Sequence, residues 1–129
     1  MRLLLDTHTL IWAMEGGREL PLSARRLIED TRNDLYFSAI NIIEIALKRA
    51  ARKRSAPSLG ADDVWRLAVE AELLEVVVTH QHAIAVETIA IAHGDPFDRL
   101  LLAQAKVEGL QLLTHDERLA RYDSRTILF

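Results

Sequence analysis

The sequence predicts an α/β protein built around a parallel sheet, and three observations carry that prediction. Four short apolar runs, residues 3–5, 35–37, 74–78 and 110–113, have the length and branched or aromatic content of buried strands, with 126–128 a candidate fifth. Six segments between or before them, 9–14, 23–30, 39–51, 62–71, 82–91 and 97–108, carry apolar residues at helical spacing. Strands alternating with helices imply crossover connections, and so a parallel sheet. Finally, acids follow the strands: Asp6 comes directly after "LLL", and Asp116 shortly after "LQLL". Open parallel sheets bind ligands beyond the carboxyl ends of their strands.

Local signals support the individual elements. Ser38 is a good N-cap after the strand "LYF", so the helix over 39–51 starts at once, with Glu44 on its second turn. In "HGDPFDRLLLAQA", Asp95, Pro96 and Asp98 fit N-cap, N1 and N3 of the helix over 97–108. That helix precedes the strand over 110–113 and is expected to run antiparallel to it. Its N-terminus would then bring Asp98 within reach of Asp6 and Asp116.

At 129 residues the chain suits one domain spanning 1–129 and is short for two. Half of it is hydrophobic and no Gly/Ser/Pro-rich linker interrupts it, which argues against extended disorder. The absence of cysteine excludes disulfides and thiolate metal ligands, and suits a reducing cytosol. Asp6 to Thr9 break the first apolar run before a signal-peptide core forms, and no run reaches membrane-spanning length. A soluble cytoplasmic protein with no membrane partner is therefore expected. The net charge of −3 does not announce a nucleic-acid binder, so any such binding is local. Lys48, Arg49, Arg52, Lys53 and Arg54 provide one local patch. They read either as a solvated helix end favoured by the macrodipole or as contacts to phosphate. With aromatics at only 5%, base stacking is not visibly provided, and phosphate contacts would have to dominate.

Glu44 stands nearly alone among Ile42, Ile43, Ile45, Ala46 and Leu47 and needs a partner, for which Lys48 is placed at i+4. Carboxylates gathered at one edge repel one another unless a cation is bound. Oxygen donors without cysteine favour Mg²⁺, with Mn²⁺ as substitute, over Zn²⁺, and "HQH" at 80–82 is a poor zinc signal. A carboxylate-held Mg²⁺ suits phosphodiester hydrolysis.

Taken together, "LLLDTHTLIW", "SAINIIEIALK", "HGDPFDRLLLAQA" and "LQLLTHDERLARY", in that order over nearly the full length, resemble the PIN-domain ribonucleases of the VapC toxin type. The resemblance implies a three-layer α/β/α fold with a central parallel sheet and a Mg²⁺-dependent endoribonuclease acting as the toxin of a toxin–antitoxin pair. It also implies a cognate antitoxin and a homodimer. By motif, Asp6, Glu44, Asp98 and Asp116 match the family's catalytic, metal-binding acids. Asp95 matches the first aspartate of "DPFDR", a ligand or the helix cap, with cap or outer shell favoured. Thr114 matches an orienting hydroxyl, and Gly94 departs from the basic residue frequent in this branch.

Two other readings compete. "LLLDTHT" approximates the nucleophile motif of haloacid-dehalogenase-like phosphatases, but His8 replaces the second aspartate and the chain is short for that fold and its cap. A binding module without catalysis is disfavoured because all four matched acids are intact. Trp12 and Trp65 read as interface or as core, with core preferred for at least one.

Overall fold

The computed structural model describes residues 1–90 and 94–129. Among them, five strands form one all-parallel sheet: β1 (Arg2–Leu5), β2 (Asp34–Ser38), β3 (Leu74–Val76), β4 (Gln111–Thr114) and β5 (Ile127–Leu128). Their order is β3-β2-β1-β4-β5, so the chain leaves the central strand β1 in one direction and later returns to its other side. Leu4 pairs with Tyr36 on one side and Leu112 on the other, and Leu5 with Leu113. Strands buried on both faces read as unbroken apolar runs, which is why "LLL" and "QLL" look as they do.

The helices are α1 (Thr7–Met14), α2 (Leu22–Glu29), α3 (Ala39–Ala50), α4 (Ala61–Glu70), α5 (His80–Ala85), α6 (Pro96–Glu108) and α7 (Glu117–Tyr122). They cover both faces of the sheet, giving three α/β/α layers. Leu4 and Leu112 pack with Leu101 and Leu102 of α6 and Leu119 of α7, whereas Leu5, Phe37 and Leu113 pack with Leu10 of α1, Ile45 of α3 and Val64 and Ala68 of α4. Each fully buried leucine side chain contributes about 1.5–3 kcal/mol relative to exposure. None of the described helices is long and apolar enough to cross a membrane.

Capping explains where the helices begin. Asp6 caps α1, accepting from the Thr9 N–H at 2.8 Å. Ser38 and Asn41 form a reciprocal capping box on α3. Asp95 caps α6, accepting from the Phe97 N–H at 2.9 Å with Pro96 at the first turn, and Asp116 caps α7, accepting from the Arg118 N–H at 2.9 Å. At its far end α6 stops at Gly109, whose φ of +67° is the left-handed conformation glycine accepts without cost.

Two expectations are corrected. The strand expected over 74–78 ends at Val76, because its partner β2 ends at Ser38, which pairs with Val76 and caps the next helix; Val77 and Val78 are exposed. The helix expected over 82–91 begins at His80, capped by Thr79, and passes into a 3₁₀ turn over Val86–Thr88. Beyond it, Ile89 is extended and buried; its carbonyl accepts from Arg99 and that of Thr88 from Tyr122. The end of the expected segment, Ile91, and His93 of the "HGDPFD" motif lie outside the described residues. Helix α7 was not anticipated.

Candidate active site

Helices α1, α3 and α7 directly follow β1, β2 and β4, so each begins at the carboxyl edge of the sheet, and α6 begins there because it returns antiparallel into β4. Three of these four helix starts carry an aspartate cap, and Asp98 occupies the third helical position of α6. The caps therefore place carboxylates at one edge, at the switch in strand order between β1 and its neighbours.

A cavity of about 190 Å³ lies there, lined by Asp6, Glu44, Asp95, Asp98 and Asp116 among others. All four acids expected to be catalytic thus face one space. Asp6, 6% exposed, is held on both oxygens: Thr9 N–H donates to Oδ1 and the Thr114 hydroxyl to Oδ2. Thr114 Oγ1 also accepts from the Asp116 N–H at 3.0 Å, which ties the two strand-end acids together. Glu44, 5% exposed, accepts from Thr7 Oγ1 at 2.7 Å and from Lys48 Nζ at 2.7 Å. Behind it, Asn41 Nδ2 donates to Thr7 Oγ1 at 3.0 Å, which occupies a lone pair of the hydroxyl and directs its O–H toward Glu44. Asp116 is gripped by both ends of the Arg118 guanidinium, at 3.1 and 2.8 Å.

The Asp98 carboxyl is pushed up to about 7, first by burial and then by the negative charges of Asp95, Glu44, Asp116 and Asp6. Crowding of like charge is thus felt at the α6 terminus. The acidic donors are carboxylate oxygens, which fit a hard divalent cation, and the imidazoles of His8 and His115 line the cavity beside them. Among the described residues no three acids already stand close enough to grip an ion. Glu44 is turned onto Lys48 and Asp116 onto Arg118, so a cation would compete with those two side chains.

Of the basic patch, only Lys48 enters this cavity. Arg49 donates to the carbonyls of Pro57 and Ser58 at 2.7 and 2.9 Å and so fixes the loop after α3, whereas Arg52, Lys53 and Arg54 are exposed. His82 is buried, with Nε2 2.7 Å from Glu108, and belongs to the core. Sequence reasoning missed Arg118 and His115, which line the cavity, and a ring cluster at its rim. His8, Trp12 and His115 lie with centroids 5.0–5.7 Å apart, and Phe129 lies 6.3 Å from His115. The i,i+4 spacing of His8 and Trp12 was a visible signal; the approach of His115 was not. Neither tryptophan is a core residue, contrary to expectation: Trp12 is half-buried and Trp65 is 45% exposed on α4.

A three-layer α/β/α domain with a carboxylate-lined cavity at the switch point of its parallel sheet is the class that fold and site define. The chain matches the family model of the PIN domain over residues 3–125 and belongs to that family. Similar solved structures include VapBC2 from Rickettsia felis bound to a DNA fragment from its promoter, with a TM-score of 0.67 and 16% identity over 100% of this chain and 98% of that one. DNA-bound VapBC from Salmonella typhimurium gives 0.65 and 21%, over 100% and 97%. A toxin–antitoxin complex from Klebsiella pneumoniae gives 0.66 and 16%, over 97% and 95%. At these identities the likeness is one of fold. No curated protein sequence matches the chain.

Proposed function

We propose that this protein is the toxin of a toxin–antitoxin pair, a Mg²⁺-dependent endoribonuclease of the VapC type that accepts Mn²⁺ in place of Mg²⁺. The observation that carries the reading is the single cavity shared by Asp6, Glu44, Asp98 and Asp116, in a chain of the PIN family. The toxin–antitoxin complexes among its structural neighbours support the pairing with an antitoxin.

In this reading Asp6, Asp98, Asp116 and Glu44 hold the cation. When bound, it lowers the pKa of a water and offsets charge on the phosphate. Thr114 fixes the rotamer of Asp6 and the backbone of Asp116, so Asp6 is already oriented and only the Asp116 side chain must leave Arg118. Lys48, which lines the same cavity and donates to Glu44, would be free to meet a phosphate oxygen if Glu44 held the cation. Asp95 stays on the helix end as cap. Arg52, Lys53 and Arg54 extend the positive potential beside the cavity toward the RNA backbone, and Arg49 shapes the loop that carries it. Exposed apolar side chains on α3 and α4, Ile43, Leu47, Trp65 and Val69, offer surface for the antitoxin or a second copy in a homodimer. The setting is cytoplasmic.

Expression in bacteria tests this directly. The chain alone is expected to arrest growth with loss of intact RNA, and a co-expressed antitoxin from the neighbouring gene to relieve it, whereas Asp98→Asn is expected to be tolerated. Harmless accumulation of the folded, intact protein contradicts the reading.

A further inference from the structure

We infer that His8, Trp12 and His115 form a stacking subsite that holds one unpaired nucleobase beside the acid cavity. The inference rests on the nuclease reading and names the residues that hold a base next to the phosphate.

A second cavity, of about 170 Å³, adjoins the first and shares Thr7, His8 and Lys48 with it, while Trp12, Ile11 and Ile45 supply its apolar wall. It is smaller than the roughly 300–1,000 Å³ of ordinary ligand pockets, which suits a single ring and not a whole nucleotide. His8 and Trp12 line it, and His115, on the wall of the acid cavity, touches both: Trp12 lies 5.0 Å from His115 at 57°, His8 5.7 Å from Trp12 at 46°, and His8 5.3 Å from His115 edge-on. Yet the cluster is not buried, since His8 is exposed and the His115 side chain is 41% exposed. Of the few aromatic side chains in the sequence, Trp12 is thus held with two imidazoles at the rim of the acid cavity.

The chemistry of that rim suits a nucleobase. Bases in single strands are unstacked and recognised on aromatic faces, whereas bases within a duplex offer no free face. A phosphate lying among the acids places the base next to it at the shared wall. Lys48, on that wall, is placed to meet the linking phosphate.

The test uses the full chain carrying Trp65→Phe, which leaves Trp12 as the sole tryptophan, with chelator present so that nothing is cut. An unstructured RNA decamer is expected to quench Trp12 fluorescence, and the same strand in a duplex is not. Trp12→Ala is expected to weaken binding of the single strand, followed by a labelled decamer, about ten-fold, with Trp12→Phe recovering most of it. A scan of single abasic sites should show one position at which affinity falls, and that loss should vanish in Trp12→Ala. His115→Ala serves the same comparison if Trp12→Ala does not fold. Absence of quenching, equal quenching by duplex, a uniform abasic scan, or a ring variant that binds as the parent does each overturns the subsite. So does a ring variant that loses antitoxin binding alone, which assigns the rim to a protein partner. If quenching and the abasic signature appear but RNA is never cut with Mg²⁺, the stacking stands and the nuclease reading fails; cleavage without the signature gives the converse.

Discussion

Thr114, at the end of β4, donates its hydroxyl to Asp6, at the end of β1, and accepts the Asp116 N–H with the same oxygen. One fully buried hydroxyl therefore orders two acids that the chain brings from its opposite ends. Thr114→Val keeps the shape and removes the hydroxyl, leaving an Asp6 oxygen and a backbone N–H without that partner. A loss of about 1–3 kcal/mol in urea unfolding is expected, with cleavage falling more than stability alone explains. Thr114→Ser is expected to retain most of both.

Asp98 gives the metal-free protein a pH dependence of defined sign. Its folded-state value of about 7 lies above the ordinary 3.8. A raised carboxyl favours folding fully only below its unfolded value, and that contribution is lost as pH rises through the folded value. Between pH 4 and pH 7 this group therefore makes the chelated protein progressively less stable. Asp98→Asn is expected to flatten that part of the profile and to be at least as stable as the parent at pH 8. An Asn variant less stable at pH 8, with the slope unchanged, contradicts the crowding of the acids.

Asp95 is expected to behave differently from its neighbour. It accepts from the N–H groups of Phe97 and Asp98, so Asp95→Ala costs about 1 kcal/mol as a lost cap, and Asp95→Asn far less. Denaturant unfolding of both variants distinguishes the cap from the crowded acid three residues on.

Glu44 and Lys48 are tied at 2.7 Å, with Glu44 almost fully buried. Lys48→Met removes one of its two partners and is expected to destabilise by about 1–3 kcal/mol. The double variant with Glu44→Gln should recover part of that loss, so a double-mutant cycle should show coupling. Additive effects would show that the pair contributes nothing to the folded state.

Much of this edge was legible in the sequence because strand ends and helix caps are local. Asp6 and Asp116 follow apolar runs, and Pro96 between Asp95 and Asp98 marks a helix start, so the meeting of three elements could be inferred from direction alone. The orientation of Glu44 was not legible, since helix rotation is settled by packing of Ile40 and Ile45 on opposite faces of the sheet. Helix α7 escaped notice because "ERLARY" is short and half charged, with Leu119 its sole buried residue. The expected helix over 82–91 failed for the opposite reason: its apolar spacing continues through Ile89, which is buried as extended chain. Of the aromatic rim only the i,i+4 pair of His8 and Trp12 was visible, because composition counts rings without saying which of them meet. Trp12 and His115 touch only once β1 and β4 pair.

The central claim, that the acid-lined edge is a metal-dependent ribonuclease centre, is tested most directly by one cleavage assay on a defined, end-labelled single-stranded RNA. Purified parent and Asp98→Asn proteins are compared with Mg²⁺, with Mn²⁺ and with excess chelator. Internal cleavage by the parent with either cation is expected, with none in chelator and none from Asp98→Asn under any condition. Cleavage that persists in chelator or in the folded Asn variant, or no cleavage by the folded parent with either cation, contradicts the account.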